Sequence, residues 1–315
     1  MLRYAVIGAG AVGCFYGIRL AAAGAPVQFL VRREAQAVRD RGLTLTSPEG
    51  DQHVPAPHVA ASWDELEPCD VLLVAVKATA NDAVQHELAN HARRLLGRAG
   101  TVLLVQNGIG CEAGFARAGS VPVLGGLAFL CAQQRVPGVV AHLDYGALTI
   151  AASSPDERPM GVTPVMWAIA EDLGAAGTQC LLDDDLVRAR WRKLMWNVPF
   201  NPLSVILGAS TAQLMASAEA VALIRRVMAE VAAAAAAEGR RLPDSLADDL
   251  LAMTARMAPY DTSMKLDADR GRPMEVDAML GEPLRRAARA GVPMPTVAAL
   301  RDQLAFLDAR ITGRG

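Results

Sequence analysis

Tyr4-Ala5-Val6-Ile7-Gly8-Ala9-Gly10-Ala11-Val12-Gly13 opens the chain with a short apolar run that passes straight into GxGxxG. A strand followed by a glycine-rich turn and a helix is the opening of a βαβ dinucleotide-binding unit. The first glycine allows a tight turn, the second lets backbone approach a diphosphate, and the third lets helix pack on strand. The diphosphate then lies at the helix N-terminus, where free N–H groups and the helix dipole favour an anion. Gly8, Ala9, Gly10, Ala11, Val12 and Gly13 are therefore the candidate cofactor turn, with a helix expected over 12–23.

Working outward, the runs Val27 to Val31, Val71 to Val76 and Thr101 to Gln106 are near-continuously apolar, as parallel strands covered on both faces should be. They predict an α/β, doubly wound sheet of Rossmann type. Val121 to Ala132 and Gly138 to Ala152 read as an antiparallel pair at one sheet edge, turning at Pro137-Gly138. Thr163 to Gly174 reads as a helix and Thr178 to Leu182 as one more strand. At Asp183-Asp184-Asp185 strand patterning stops, and helices are expected at 185–200, 210–217, 218–239, 243–257, 273–291 and 295–312. The expected division is an N-terminal domain over 1–183 and an all-helical domain over 184–315.

Length and composition agree with this. At roughly 150 residues per domain, 315 residues suggest two domains, and 52% hydrophobic with 20% charged residues exclude a disordered chain. Lys+Arg 31 against Asp+Glu 33 leaves no global positive field for nucleic acid or an anionic membrane. No run approaches the ~18 apolar residues of a membrane span, and the glycines after Ile7 interrupt what could pass for a signal peptide. The five cysteines, an odd number without CxxC spacing, read as reduced thiols of a cytoplasmic protein and suggest no metal site.

Four further groups of residues bear on chemistry. The second strand ends in Arg32-Arg33, where an NAD-binding protein would place Asp or Glu on the ribose; a guanidinium there suits a 2′-phosphate, so NADP is expected. The alternative is solvated arginines with Glu34 reaching the ribose of NAD. Lys77 and Asn107 follow the ends of two successive strands, where open α/β sheets bind ligands; each alone could be an ordinary loop residue. Lys193, Asn197 and Asn201 recur every four residues, which a helix puts on one face. A lysine desolvated there would have a lowered pKa and could donate a proton near neutral pH. Pro199 is expected to kink or end that helix before Asn201, and an exposed polar stripe is the alternative reading. Ser263 to Asp277 is expected to be a polar loop, with Glu275 at the start of the next helix.

Taken together, GxGxxG, Val76-Lys77-Ala78, Gln106-Asn107-Gly108, Trp191-Arg192-Lys193 continuing to Asn197 and Asn201-Pro202-Leu203, and Ser263-Met264 through Asp267 to Glu275-Val276-Asp277 resemble the ketopantoate reductase family over almost the whole chain. The resemblance implies NADPH-dependent reduction of the C2 ketone of ketopantoate to D-pantoate, toward pantothenate and coenzyme A. It implies Lys193 as general acid and Glu275 as partner of the substrate hydroxyl. Asn107, Asn197, Asn201 and Ser263 would surround the substrate, and Arg32, Lys77 and Asn107 would serve the cofactor. The chain departs from the pattern at Pro199 and at Thr211, where a further substrate asparagine would align. Reduction of a different 2-keto acid and a non-catalytic NADP-binding regulator remain as alternatives. A monomer or homodimer is expected.

Overall fold

The computed structural model describes residues 1–32 and 34–313. The chain packs as two units, one formed by Met1–Gln106 with Cys111–Leu186, the other by Asn107–Gly110 with Val187–Gly315.

In the first unit, ten strands among the described residues form one sheet. β1 (Tyr4–Ile7) is flanked by β2 (Val27–Leu30) and by β6 (Val71–Val74), both parallel to it. Outside β2 lies β5 (His58–Ala60), and outside β6 lie β7 (Thr101–Val105) and β8 (Val123–Val136), all parallel. The chain thus winds one way from β1 to β2 and the other way from β6 onward, which puts the reversal of strand order between β1 and β6. In such sheets the crevice beyond that reversal receives the ligand.

The apolar runs are explained by burial on both faces. On β6, Val71 and Leu73 enter one core with Phe15, Ile18 and Phe29, while Leu72 and Val74 enter another with Leu88, Leu95 and Phe115. The first core is covered by α1 (Ala11–Ala22) and α5 (Pro164–Ala175), the second by α3 (Asn81–Leu95) and α4 (Glu112–Gly119). Alternation of side chains across a strand makes this division automatic.

β8 and β9 (Val139–Ala152) are the expected antiparallel pair, but they do not close the edge. β9 also pairs with β3 (Leu43–Thr46) and with β10 (Cys180–Asp183), and β3 carries β4 (Gln52–Val54) outside it. The short strands β3, β4 and β5 follow α2 (Ala35–Arg41) and were not expected from the sequence.

The second unit is helical. α6 (Leu186–Ile206), α7 (Thr211–Met215), α8 (Ala218–Ala237), α9 (Leu246–Arg256), α10 (Ser263–Asp269), α11 (Glu282–Arg289) and α12 (Pro295–Thr312) surround a core that includes Trp191, Phe200, Ile224, Met228, Met279 and Leu304. Three expectations are corrected. α6 neither stops nor breaks at Pro199 but continues through Pro202 to Ile206. A proline inside a helix costs about 3 kcal/mol or more, and the burial of Val198, Phe200 and Leu203 on the same segment offsets it. The stretch from Ser263 is likewise not all loop: Thr262 caps α10, its hydroxyl accepting from the Lys265 N–H. The helix expected over 273–291 begins as a π-helical turn, Asp277–Gly281, before α11.

Candidate active site

The glycine turn of the first unit has a different reason at each glycine. Gly8 has φ +103°, and a Cβ there would lie 2.7 Å from the Val76 nitrogen, so only glycine lets the turn pass against the loop after β6. At Gly13 a Cβ would lie 2.1 Å from the Gly8 carbonyl oxygen, so close helix-on-strand packing requires glycine. At Gly10 nothing lies within 4 Å of the Cβ position. Space is open beside the N-terminus of α1, which has no side-chain cap and no acidic residue in its first turn. Ala9, Ala11 and Val12 pack partly against the core and fix the turn to the sheet. The feature fits a diphosphate, whose charge would meet the free amides of the first turn.

Arg32 lies exposed just beyond β2, and Arg33 lies outside the described residues. Lys77, half-buried, follows β6 and precedes a 3₁₀ turn at Ala78–Ala80. That loop is braced by Gln106, whose Nε2 donates to the Val76 carbonyl at 2.8 Å and to Asn81 Oδ1 at 2.7 Å. The first unit therefore offers an open glycine turn, a cation beyond β2 and a lysine beyond β6.

The second unit gathers most of the polar candidates. Asn197 Nδ2 donates to Asn107 Oδ1 at 3.4 Å, and Asn201 Nδ2 donates to the Asn197 carbonyl at 3.2 Å and to its Oδ1 at 3.5 Å. Ser263 Oγ and the Met264 N–H both donate to Asn201 Oδ1, at 3.4 and 3.3 Å. Asn107, Asn197, Asn201 and Ser263 thus form one hydrogen-bonded string. Asn107 joins it because Asn107–Gly110 packs with the helices: Ile109 is in their core, and Gly108, φ +96°, would set a Cβ 2.5 Å from the Ala278 carbonyl oxygen.

Lys193 lies one turn before Asn197 on α6 and is half-buried. Burial is the main cause that lowers its pKa to about 7; Arg190 adds to this, and Glu275 opposes it. Arg190 is 2% exposed and Glu275 7% exposed, so both charges act on the lysine with little solvent screening. Glu275 sits at the entrance to the turn that starts at Val276, its carbonyl accepting from the Met279 N–H at 3.1 Å. Next to it, the Met274 N–H donates to Asp308 Oδ1 on α12 at 2.7 Å. Asp267 and Arg272 pair across the same segment at 2.8 Å.

Arg190 was missed in the sequence, although its position three residues before Lys193 puts it on the same helix face. Thr211 proves to be a packing residue. Fully buried, its hydroxyl donates to the Tyr260 carbonyl at 3.2 Å and accepts from the Tyr260 N–H at 3.3 Å. Among the described residues there is no cluster of His, Cys, Asp and Glu suited to a metal ion, all five cysteines are free thiols, and no helix is long and apolar enough to cross a membrane.

A Rossmann-type unit with an open glycine turn, followed by a helical unit carrying a lysine beside a buried glutamate and a string of amides, defines an NAD(P)-dependent oxidoreductase. Comparison with known proteins names the group. The profile "Ketopantoate reductase PanE/ApbA" matches residues 4–155, and "Ketopantoate reductase PanE/ApbA C terminal" matches residues 185–308. A 2-dehydropantoate 2-reductase of Nostoc sp. is 40% identical over 309 residues, covering 98% of this chain and 96% of its own. The crystal structure of 2-dehydropantoate 2-reductase from Methylococcus capsulatus superposes with a TM-score of 0.86 at 32% identity, over 99% of this chain and 98% of that one. The chain belongs to the ketopantoate reductase family. The fold is shared more widely: a D-mandelate dehydrogenase solved with NADH and anilino(oxo)acetate has a TM-score of 0.85 at 21% identity, covering 98% of this chain and 99% of its own.

Proposed function

We propose that this chain reduces the C2 ketone of 2-dehydropantoate (ketopantoate) to D-pantoate with NADPH, on the route to pantothenate. The observation that carries the reading is Lys193, desolvated to a pKa of about 7 on the helix face that also bears Asn197 and Asn201, with Glu275 in electrostatic reach. The 40% identity to a 2-dehydropantoate 2-reductase over nearly the full length supports the choice of substrate.

NADPH, when bound, supplies the hydride. The chain's own residues do the rest. Gly8, Gly10 and Gly13 shape the turn whose amides hold the diphosphate, Arg32 offers planar donors to the 2′-phosphate, and Lys77 adds positive charge beyond β6. Lys193 Nζ places a proton and a positive charge beside the C2 oxygen as negative charge develops there, and positioned proton transfer of this kind is typically worth ~10²–10⁴-fold. The amides of Asn107, Asn197 and Asn201, with Ser263, hold the keto-acid end; their mutual bonds are long enough to be exchanged for stronger ones to a bound carboxylate. Glu275 accepts the hydrogen bond of the substrate's terminal hydroxyl. The five free thiols support a reducing, cytoplasmic setting.

The shared fold of D-mandelate dehydrogenase gives a second reading, reduction of another 2-keto acid, because the fold alone does not choose among them. The test is consumption of reduced nicotinamide with ketopantoate, using NADPH and NADH in parallel, with pantoate identified as product. The reading predicts turnover with NADPH well above that with NADH; absence of turnover with ketopantoate would overturn it.

A further inference from the structure

We infer that Gln134 is a positioning residue for the diphosphate turn, resting on the dinucleotide reading of that turn given above. Gln134 lies on β8, far from the glycines in sequence, and its Nε2 donates to the Ala9 carbonyl at 2.8 Å. The strand shifts register between Gln134 and Val136, a local irregularity of the kind that re-aims a side chain.

The bonded carbonyl belongs to the peptide that joins Ala9 to Gly10. A trans peptide is planar, with its C=O and N–H pointing in opposite directions. Holding the Ala9 oxygen toward Gln134 therefore fixes the Gly10 N–H pointing the opposite way within that plane. The Cβ position of Gly10 meets no atom within 4 Å and Gly10 is the N-cap of α1, and its amide is assigned on this ground to the donors at the diphosphate position. With Gly10 on the C-terminal side of this plane and no Cβ there, local sterics do little to restrict rotation about its φ. The brace from β8 sets it instead, and the diphosphate meets a donor already in place. The expected consequence is tighter dinucleotide binding with no part in the chemical step.

The experiment compares wild type with Gln134→Ala and with Gln134→Met, which keeps the bulk and removes the donor. Dissociation constants are measured by fluorescence without keto acid for NADPH and NADH, and by competition for adenosine 2′-monophosphate, which has the 2′-phosphate but no diphosphate. Both variants should weaken NADPH and NADH by the same factor, about three- to tenfold, as loss of one hydrogen bond would. They should bind adenosine 2′-monophosphate like wild type, and raise KM for NADPH at unchanged kcat. Unchanged NADPH affinity, equal weakening of adenosine 2′-monophosphate, or failure of both variants to fold would overturn the assignment. A chain that shows the predicted discrimination yet turns over no ketopantoate loses the substrate reading and keeps this one. A wild type that binds neither dinucleotide loses both.

Discussion

In the proposed reading Lys193 concentrates the chemistry into one titration. As a general acid it must be protonated, so with its pKa lowered to about 7 the active form prevails below that value and is lost above it. The rate of ketone reduction at saturating substrates should therefore fall as pH rises through about 7, and a flat profile to pH 9 or so would remove Lys193 as donor. Lys193→Ala should lower kcat by ~10²–10⁴-fold, far more than it raises KM, because a proton donor acts chiefly in the transition state. In the proposed reading Glu275 sets selectivity as well as supporting the charged form of Lys193. Ketopantoate carries a hydroxyl that 2-ketoisovalerate lacks, and a buried carboxylate without that partner is penalised. Glu275→Ala should cost more of kcat/KM for ketopantoate than for 2-ketoisovalerate; an unchanged ratio would take Glu275 out of the substrate site. At this scale the four-residue spacing of Lys193, Asn197 and Asn201 was legible, since a helix converts it directly into a shared face. The influence of Arg190 and the packing role of Thr211 were not, because both depend on which groups the fold buries together.

Among the elements, the strand–turn–helix of Tyr4–Ala22 was the most legible, for its glycines answer to local geometry. The same geometry separates two substitutions that a sequence pattern treats alike. Gly13→Ala drives a Cβ into the Gly8 carbonyl and should lower stability by about 1–3 kcal/mol, read as a drop in Tm. Gly10→Ala meets no protein atom and should leave Tm near wild type while weakening NADPH binding, because the methyl enters space assigned to the diphosphate. If Gly10→Ala bound NADPH like wild type, the diphosphate would not lie there. Where local rules misled, tertiary packing was the reason. Pro199 and Pro202 read as helix ends, yet the buried apolar residues beside them hold α6 together. The charges of Ser263 to Asp277 read as solvated loop, yet Thr262 caps α10 and Asp267 is buried against Arg272.

For the whole molecule, the sequence disclosed the order of an α/β unit followed by helices, because doubly buried strands and long helical patterns are strong signals. It did not disclose β3, β4 and β5, which mix polar with apolar residues and lack the continuous apolar run that marks the equally short β1 and β6. Cofactor choice is a property of the first unit that one substitution can interrogate. Arg32→Glu should weaken NADPH binding strongly and NADH little, since a carboxylate would then face the 2′-phosphate; equal effects on both would move the 2′-phosphate elsewhere. Whether this chain reduces ketopantoate with NADPH is decided by the wild-type kcat/KM for ketopantoate set beside those for 2-ketoisovalerate, pyruvate and phenylglyoxylate at fixed NADPH. Ketopantoate should lead each by orders of magnitude, and a hydroxyl-free 2-keto acid turned over as well or better would overturn the assignment.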